Sequence, residues 1–274
     1  MQPKDIALGL ADGGSANALS TGTNSVFRVR TSDGHTWILK VYGSSSYQRR
    51  ERRAYDALSG LPGLPTVLEW GSTGDSYWVR LADAGKWTLA ALPGNPKAAK
   101  QAGTLLRGLH EANHSQLSNL EAGIDSDRMR TAIRGNFARL ERYRGRLRIP
   151  SSVFESAVDL EFPSTGSPRA SHSRPAPEAF VINDDGQVTL TGWTWATLAP
   201  PEWDYTFAYW QLSQRASAAV DAFSLGYGAT IDRQALKSWF AFHISASLLR
   251  QVEMRDGRLE DLQPFVDHLV SAMG

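Results

Sequence analysis

Side chains able to do chemistry gather in two places along this 274-residue chain. The first is Lys40, in the run W-I-L-K-V-Y. A lysine near the end of an apolar strand has its ammonium held by its neighbours and can meet a phosphate as a point charge; an exposed strand lysine is the plain alternative. The second is residues 170–195, A-S-H-S-R-P-A-P-E-A-F-V-I-N-D-D-G-Q-V-T-L-T-G-W-T-W. Two short apolar runs there flank Asn183-Asp184-Asp185-Gly186, a hairpin-turn signal in which aspartate bonds its own backbone, so Asp184 and Asp185 read as structural. Glu178 is the acid best placed to act, although exposure to solvent is the ordinary fate of a loop glutamate. His172 reads as a satisfied structural histidine.

The order of these pieces resembles the aminoglycoside phosphotransferase and choline kinase family. There a catalytic loop H-G-D-L-x-x-x-N leads into a hairpin whose second strand ends in I-D-W. With His172 set on the histidine, the resemblance puts Arg174 on the catalytic aspartate, Ala179 on the metal-binding asparagine, and Gly192, just before Trp193, on the metal-binding aspartate. It also implies that Lys40 holds nucleotide phosphates and that Glu51, in R-R-E-R-R-A-Y, orients it; an ordinary surface ion pair is the alternative. Thr21-Gly22-Thr23-Asn24-Ser25 resembles the nucleotide-covering loop but has one glycine, whereas amides that cradle phosphate usually need more permissive residues. A-G-T-L-L-R-G-L-H-E ending in His110 and Glu111, P-E-W-D-Y with Asp204, and F-S-L-G-Y-G carry the resemblance across nearly the whole chain.

Phosphoryl transfer works by positioning and by Mg²⁺ held on carboxylate and amide oxygens. Ala179 and Gly192 supply no such oxygen, and Arg174 is a permanent cation. Two unit charges 4 Å apart interact by about 4 kcal/mol at an effective dielectric near 20, and a divalent ion doubles that. Absence of the base alone costs on the order of 10²- to 10⁴-fold. The expectation is therefore a pseudokinase with no metal site and no cofactor beyond weak, metal-independent ATP binding at Lys40 and Glu51. It would act as a ligand- or protein-binding partner, in a setting that the resemblance places among bacterial natural-product or peptide-modification pathways. A second reading is a phosphotransferase rebuilt around Glu178, acting on a small-molecule or peptide hydroxyl.

A third reading is a basic interaction module. Arg128, Arg130, Arg134, Arg139, Arg142, Arg144, Arg146 and Arg148 form a local excess in a chain of net charge +1. Most such runs are a solvated face, yet the sign favours an anionic or acidic partner over a polycation, with Arg134 and Arg142 as candidate contacts. Nucleic acid ranks last, since no nucleic-acid-binding motif accompanies the arginines. Trp193, Trp195, Trp203, Tyr205, Phe207, Tyr209 and Trp210 form an aromatic cluster read mainly as core, with Trp195 and Trp203 as candidate ligand or partner contacts.

Hydrophobic alternation positions these groups. Residues 25–30 and 36–42 read as a hairpin around Ser32-Asp33-Gly34, 47–58 as a helix, and 67–70 and 77–81 as strands. Helices are expected over 97–113 and 128–148, an irregular loop over 162–177, the hairpin 180–182/188–193, and three closing helices. The fold class is α+β, a bilobal kinase-like fold with a small antiparallel-sheet lobe (1–82) and a larger helical lobe (83–274). With 42% hydrophobic residues one two-lobed unit is the natural size. The chain has no cysteine, no signal-peptide-like start and no apolar run of spanning length, so a soluble cytoplasmic protein with no membrane partner is expected.

Overall fold

A five-stranded sheet and two helices build the first third of the molecule. The computed structural model describes residues 1–112, 119–120, 123, 125–162, 168–228, 236–254 and 260–274; Asn113, at the expected end of one helix, and 163–167 of the expected loop lie outside these. After α1 (Pro3–Leu10), strands β1 (Ser15–Ser20), β2 (Asn24–Arg30) and β3 (Thr36–Tyr42) run antiparallel; α2 (Ser45–Ala57) follows, then β4 (Val67–Thr73) and β5 (Ser76–Ala82). The sheet order is β1-β2-β3-β5-β4. Within β3, Trp37, Leu39 and Val41 pack with Phe27, Val29 and Trp78 beneath Ile6, Ala7 and Ala11. Ile38, Lys40 and Tyr42, on the alternate positions, face the other way. Helix α1 was not expected from the sequence; it is only two turns long, and its signal is Pro3 at the first helical position with Ile6 behind it.

Helix α2 is capped by Ser44, whose Oγ accepts from Tyr47 N. Its buried stripe is Glu51, Ala54, Tyr55 and Leu58, a spacing of three, one and three that describes one helical face. One carboxylate therefore sits in an otherwise apolar row.

Past Ala82 the chain makes a short strand, β6 (Trp87–Thr88), and then helix α3 (Pro96–Glu111), with Asn95 Oδ1 accepting from Ala98 N at 3.0 Å. The arginine-rich segment does not form one helix. It divides into α4 (Ser126–Leu140), a 3₁₀ turn (Glu141–Tyr143) and α5 (Arg144–Leu147), and Arg148 is left-handed with φ 55°. Pro150 bars Ile149 from helical backbone, which accounts for the chain leaving the helix after α5. Helix α6 (Ser151–Ala157) and strand β7 (Arg169–Ser171) come next, then the hairpin β8 (Phe180–Ile182) and β9 (Val188–Leu190). The second hairpin strand is shorter than expected because Gly192, at φ 89°, turns the chain into a 3₁₀ turn, Trp193–Trp195. Strand β10 (Thr197–Ala199) pairs with β7, and β6-β8-β9 form a three-stranded sheet. Four helices, not three, follow among the described residues: α7 (Pro201–Ser213), α8 (Ser217–Tyr227), α9 (Lys237–Met254) and α10 (Gln263–Met273).

A single cluster of buried side chains runs from Tyr42, Tyr55 and Leu81 through Leu106 and Leu109 to Phe180, Leu190, Trp193, Tyr205 and Phe223. It joins the sheet to the helical part. A second cluster, with Met129, Ile133, Phe137, Trp210, Trp239, Leu248 and Leu269, holds α4, α6, α9 and α10 together. Of the aromatic run, Trp193, Tyr205, Phe207, Tyr209 and Trp210 are buried in these cores. No helix of the described residues is long and apolar enough to cross a membrane.

Helices α3 and α8 cross with their backbones close together at two glycines. A Cβ on Gly103 would stand 2.1 Å from Phe223 O, and one on Gly226 1.9 Å from Lys100 O. Both contacts are with backbone, which cannot rotate away. Gly103→Ala and Gly226→Ala are each expected to lose about 1–3 kcal/mol or more. Gly108→Ala on the same helix has no atom within 4 Å of the new methyl and is expected to gain about 0.5–1 kcal/mol from helix propensity. Urea midpoints at unchanged slope would read both effects.

Candidate functional site

The cleft between the five-stranded sheet and the helical part is a cavity of about 540 Å³. Ile38 and Lys40 of β3 face it beside Val26 and Arg28 of β2, with Ala82-Asp83-Ala84-Gly85 along one edge and His172, Arg174, Ala176, Glu178, Ala179, Val181, Thr191 and Gly192 opposite. The sequence-selected positions Lys40, Glu51, His172, Arg174, Glu178, Ala179 and Gly192 thus converge on one cavity from residues more than 150 apart.

Lys40 is buried and bonded to Glu51 Oε2. Its Nζ also donates to Thr194 Oγ1 at 2.9 Å, and that hydroxyl donates to Glu51 Oε2 at 2.6 Å. The three groups close a ring that ties β3, α2 and the turn after the hairpin together. Tyr42, whose ring lies 5.3 Å from Lys40 Nζ, has its hydroxyl pushed far up, first by burial and then by the Glu51 charge. It therefore stays protonated. Sequence reasoning had no signal for Thr194, a contact 154 residues from Lys40.

The loop holding His172 and Arg174 is fixed from behind. Asp204, at the start of α7 and fully buried, accepts from His172 N (2.7 Å), Ser173 N (2.8 Å) and Ser171 Oγ (2.8 Å), with His110 Nε2 at 3.4 Å. Burial alone would push this carboxyl up; the His110 hydrogen bond, the neighbouring imidazoles and Ser171 instead hold it below the ordinary carboxylate range. Asp204 is thus a structural anchor for the loop that carries His172 and Arg174. Ser173 is left-handed, φ 71°, with its carbonyl accepting from Trp203 Nε1 at 3.1 Å. His172 donates Nε2–H to Thr191 O at 2.8 Å, lies edge-on to Trp193, and is held neutral by burial.

The cleft's remaining charges are mostly committed. Arg28 makes a double contact with Asp83, Nε–Oδ2 2.8 Å and Nη2–Oδ1 3.1 Å. Glu178, on the exposed rim, is ion-paired with Arg215. Asp184 lies in the hairpin turn, 3.1 Å from Lys86. Gly85, at φ 145°, leaves no room for a side chain: a Cβ there would be 2.2 Å from Ile182 O. Among the described residues no three of the His, Asp and Glu side chains are grouped to hold a metal ion.

Other selected residues lie away from this cavity. Arg134 is exposed on α4 and Arg142 on the turn that follows it. Four arginines of that segment are neutralised nearby, Arg128 by Asp125, Arg130 by Asp127, Arg139 by Glu253 and Arg144 by Glu141. Trp195 is 43% exposed, edge-on to Tyr47 and beneath the Arg50 guanidinium. Trp203 is half-buried against Phe242, Trp239 and His243.

Two measurements test this electrostatic frame. Lys40→Met is expected to lose about 3–5 kcal/mol because it strands a buried carboxylate, whereas Lys40→Met combined with Glu51→Leu should recover most of that; a double-mutant cycle in denaturant reads the difference. His243 donates Nε2–H to Trp203 O at 2.9 Å and has its pKa lowered by burial to about 4. Between pH 6.5 and 4 the unfolded chain takes up the proton and the folded chain does not, so stability falls as pH falls, by about 3 kcal/mol for this group. His243→Gln should flatten that limb of the stability–pH curve while lowering stability at pH 7.

Comparison with known proteins leads to the fold. No protein-family model matches the sequence, and no curated protein matches it. Solved structures do match over almost the full length. A spectinomycin phosphotransferase in complex with ADP and spectinomycin shares 14% identity at a TM-score of 0.65, covering 99% of this chain and 94% of that one. A choline/ethanolamine kinase family protein from Mesorhizobium loti shares 14% at 0.67, covering 99% and 94%. A macrolide 2′-phosphotransferase from Brachybacterium faecium shares 17% at 0.65, covering 96% and 98%. The chain has the protein kinase-like fold of these phosphotransferases and kinases.

Proposed function

We propose that this protein is a pseudokinase, a kinase-like cleft that binds a ligand or a protein partner and does not transfer phosphate. The observation carrying this reading is the identity of three residues lining one cavity: Arg174, Ala179 and Gly192. They stand where the resemblance puts the base and both protein ligands of Mg²⁺. Nearby carboxylates do not offer replacements, because Glu51 is bonded to Lys40, Asp83 to Arg28 and Glu178 to Arg215. A hard divalent cation needs several free oxygens, so the residues present do not fit one. Lys40 keeps the pairing with Glu51 that the resemblance implies for a phosphate-holding lysine, so with the metal ligands replaced the reading allows at most weak, metal-independent nucleotide binding. The setting, whether a peptide-modification pathway or another, follows from the partner.

One observation favours the rebuilt phosphotransferase as a second reading: Glu178 does line the cavity. The two separate cleanly. For the pseudokinase, the thermal shift produced by ATP should be small and equal with Mg²⁺ and with a chelator. Gly192→Asp joined with Ala179→Asn, which restores two oxygen ligands at a backbone position where aspartate tolerates a positive φ, should make the shift Mg²⁺-dependent. A large Mg²⁺-dependent shift in the unmodified protein, or a phosphorylated product whose formation Glu178→Ala abolishes, would overturn the proposal.

A further inference from the structure

Strand β9 and the turn after it are shared by two cavities. Thr191 and Gly192 line the cleft, whereas Val188, Leu190 and Trp193 line a second cavity of about 450 Å³. Helix α3 supplies another wall of this one: Gln101, Thr104, Leu105 and Gly108 follow at spacings of three, one and three, a single helical face. The third wall is the loop after α2, with Leu61, Pro62 and Leu64. That loop is tied to the hairpin by Leu190 N, which donates to Gly63 O at 2.8 Å, so the cavity is a formed part of the fold.

The chemistry of these walls narrows what they can hold. No lysine, arginine, histidine, aspartate or glutamate lines this cavity, whereas the cleft is lined by Arg28, Lys40, Glu51, Asp83, Arg174 and Glu178. A charged ligand would lose its hydration here with no countercharge in exchange. Apolar side chains dominate, and Gln101, Thr104 and Gln187 are the polar members, which is the make-up of a small-molecule site; the volume also falls within the roughly 300–1,000 Å³ of such sites. Two of the three polar side chains are engaged, Thr104 Oγ1 with Lys100 O at 3.1 Å and Gln187 Oε1 with Asn183 Nδ2 at 3.4 Å. The Gln101 amide oxygen is buried and has no hydrogen-bond partner among the described residues. A hydroxyl both donates and accepts, so it would satisfy this amide whichever way its oxygen and nitrogen are turned. At the end of the α3 face, Gly108 has no atom within 4 Å of where a Cβ would stand, which leaves open space where a side chain would close the cavity.

We propose that this second cavity binds a small, uncharged, mainly apolar molecule bearing a hydroxyl, held by Leu61, Leu64, Leu105, Val188 and Trp193 and oriented by Gln101. Trp193 lies edge-on to His172 of the cleft, ring centroids 4.8 Å apart, so the occupant touches the back of the cleft wall. The site does not depend on whether the cleft transfers phosphate.

The full chain, methyl-labelled on leucine and valine, is titrated at pH 7 with 2-naphthol, naphthalene and 2-naphthoate, one ring system carrying a hydroxyl, no polar group and a charge. In methyl NMR spectra 2-naphthol should saturably shift the signals of Leu61, Leu64, Leu105, Leu109 and Val188, and should move those of Val26 and Val181 in the cleft far less. Naphthalene should bind at least about threefold more weakly, the net worth of one hydrogen bond, and 2-naphthoate at least about tenfold more weakly, because its charge finds no partner. Gln101→Leu should erase the preference for 2-naphthol over naphthalene. Gly108→Phe, which sets a ring in the open space, should weaken 2-naphthol binding about tenfold or more, with an unchanged far-UV spectrum and a cooperative melt as the check on its folding; should it not fold, Gln101→Leu and the three probes decide. The site is overturned by the absence of a saturable shift in the unmodified protein, by shifts centred on the cleft methyls, or by naphthalene or 2-naphthoate binding as tightly as 2-naphthol. It is equally overturned by a Gln101→Leu protein that keeps the preference, or by a folded Gly108→Phe protein that binds 2-naphthol unchanged. Mg²⁺-dependent ATP binding would defeat the pseudokinase reading and leave these titrations as they stand.

Discussion

A carboxylate with no access to water organises the face of the cleft that lies on the helical side. Leaving Asp204 ionised inside the protein would cost several kcal/mol without partners. Two successive backbone amides, a serine hydroxyl and an imidazole supply them, each hydrogen bond to a charged group contributing about 1.5–3 kcal/mol. Because two of the donors are main-chain groups of residues 172 and 173, the carboxylate dictates the path of the loop irrespective of the side chain at 174. It also supports the left-handed Ser173, a conformation that costs a non-glycine residue about 1–2 kcal/mol. The loop is kept in shape by its surroundings, so its outward-facing residues are free to differ from those that phosphoryl transfer requires.

The sheet side is organised by a second buried charge, with a different logic. In the row Glu51, Ala54, Tyr55, Leu58 the carboxylate is bonded to Lys40 and Thr194, which spans three separated parts of the chain. A lysine bound in this way serves as a strut between β3, α2 and the turn after the hairpin. The polar content of the cleft thus serves mainly to hold its walls together, and among the described residues Arg174 lines it without a hydrogen bond or ion pair.

Much of this could be read from the sequence. Alternation in β2 and β3 and the three-and-four spacing in α2 and α3 are strong local signals, and it was the resemblance of R-R-E-R-R-A-Y that pointed to Glu51 as the partner of Lys40, a pair the structure contains. The hairpin was legible from Asn183 to Gly186 because turn chemistry is local. What escaped was either too short to show a period, as with α1 and the three-residue strands β7 and β10, or joined residues far apart. Thr194 looks like any threonine beside a tryptophan. The arginine run misled in a simpler way: its composition suggested one helix and one surface, while the segment divides into three pieces and local acids neutralise half of the charges.

The connection between the two lobes has its own consequence. Gly85 is pressed against the carbonyl of Ile182, and Asp83, two residues earlier, is gripped by both arms of the Arg28 guanidinium. A strap fastened at two adjacent points has little freedom to swing, so the gap it spans keeps a preset width. On the proposed reading, a gap of fixed width would sort ligands by their dimensions and charge on arrival.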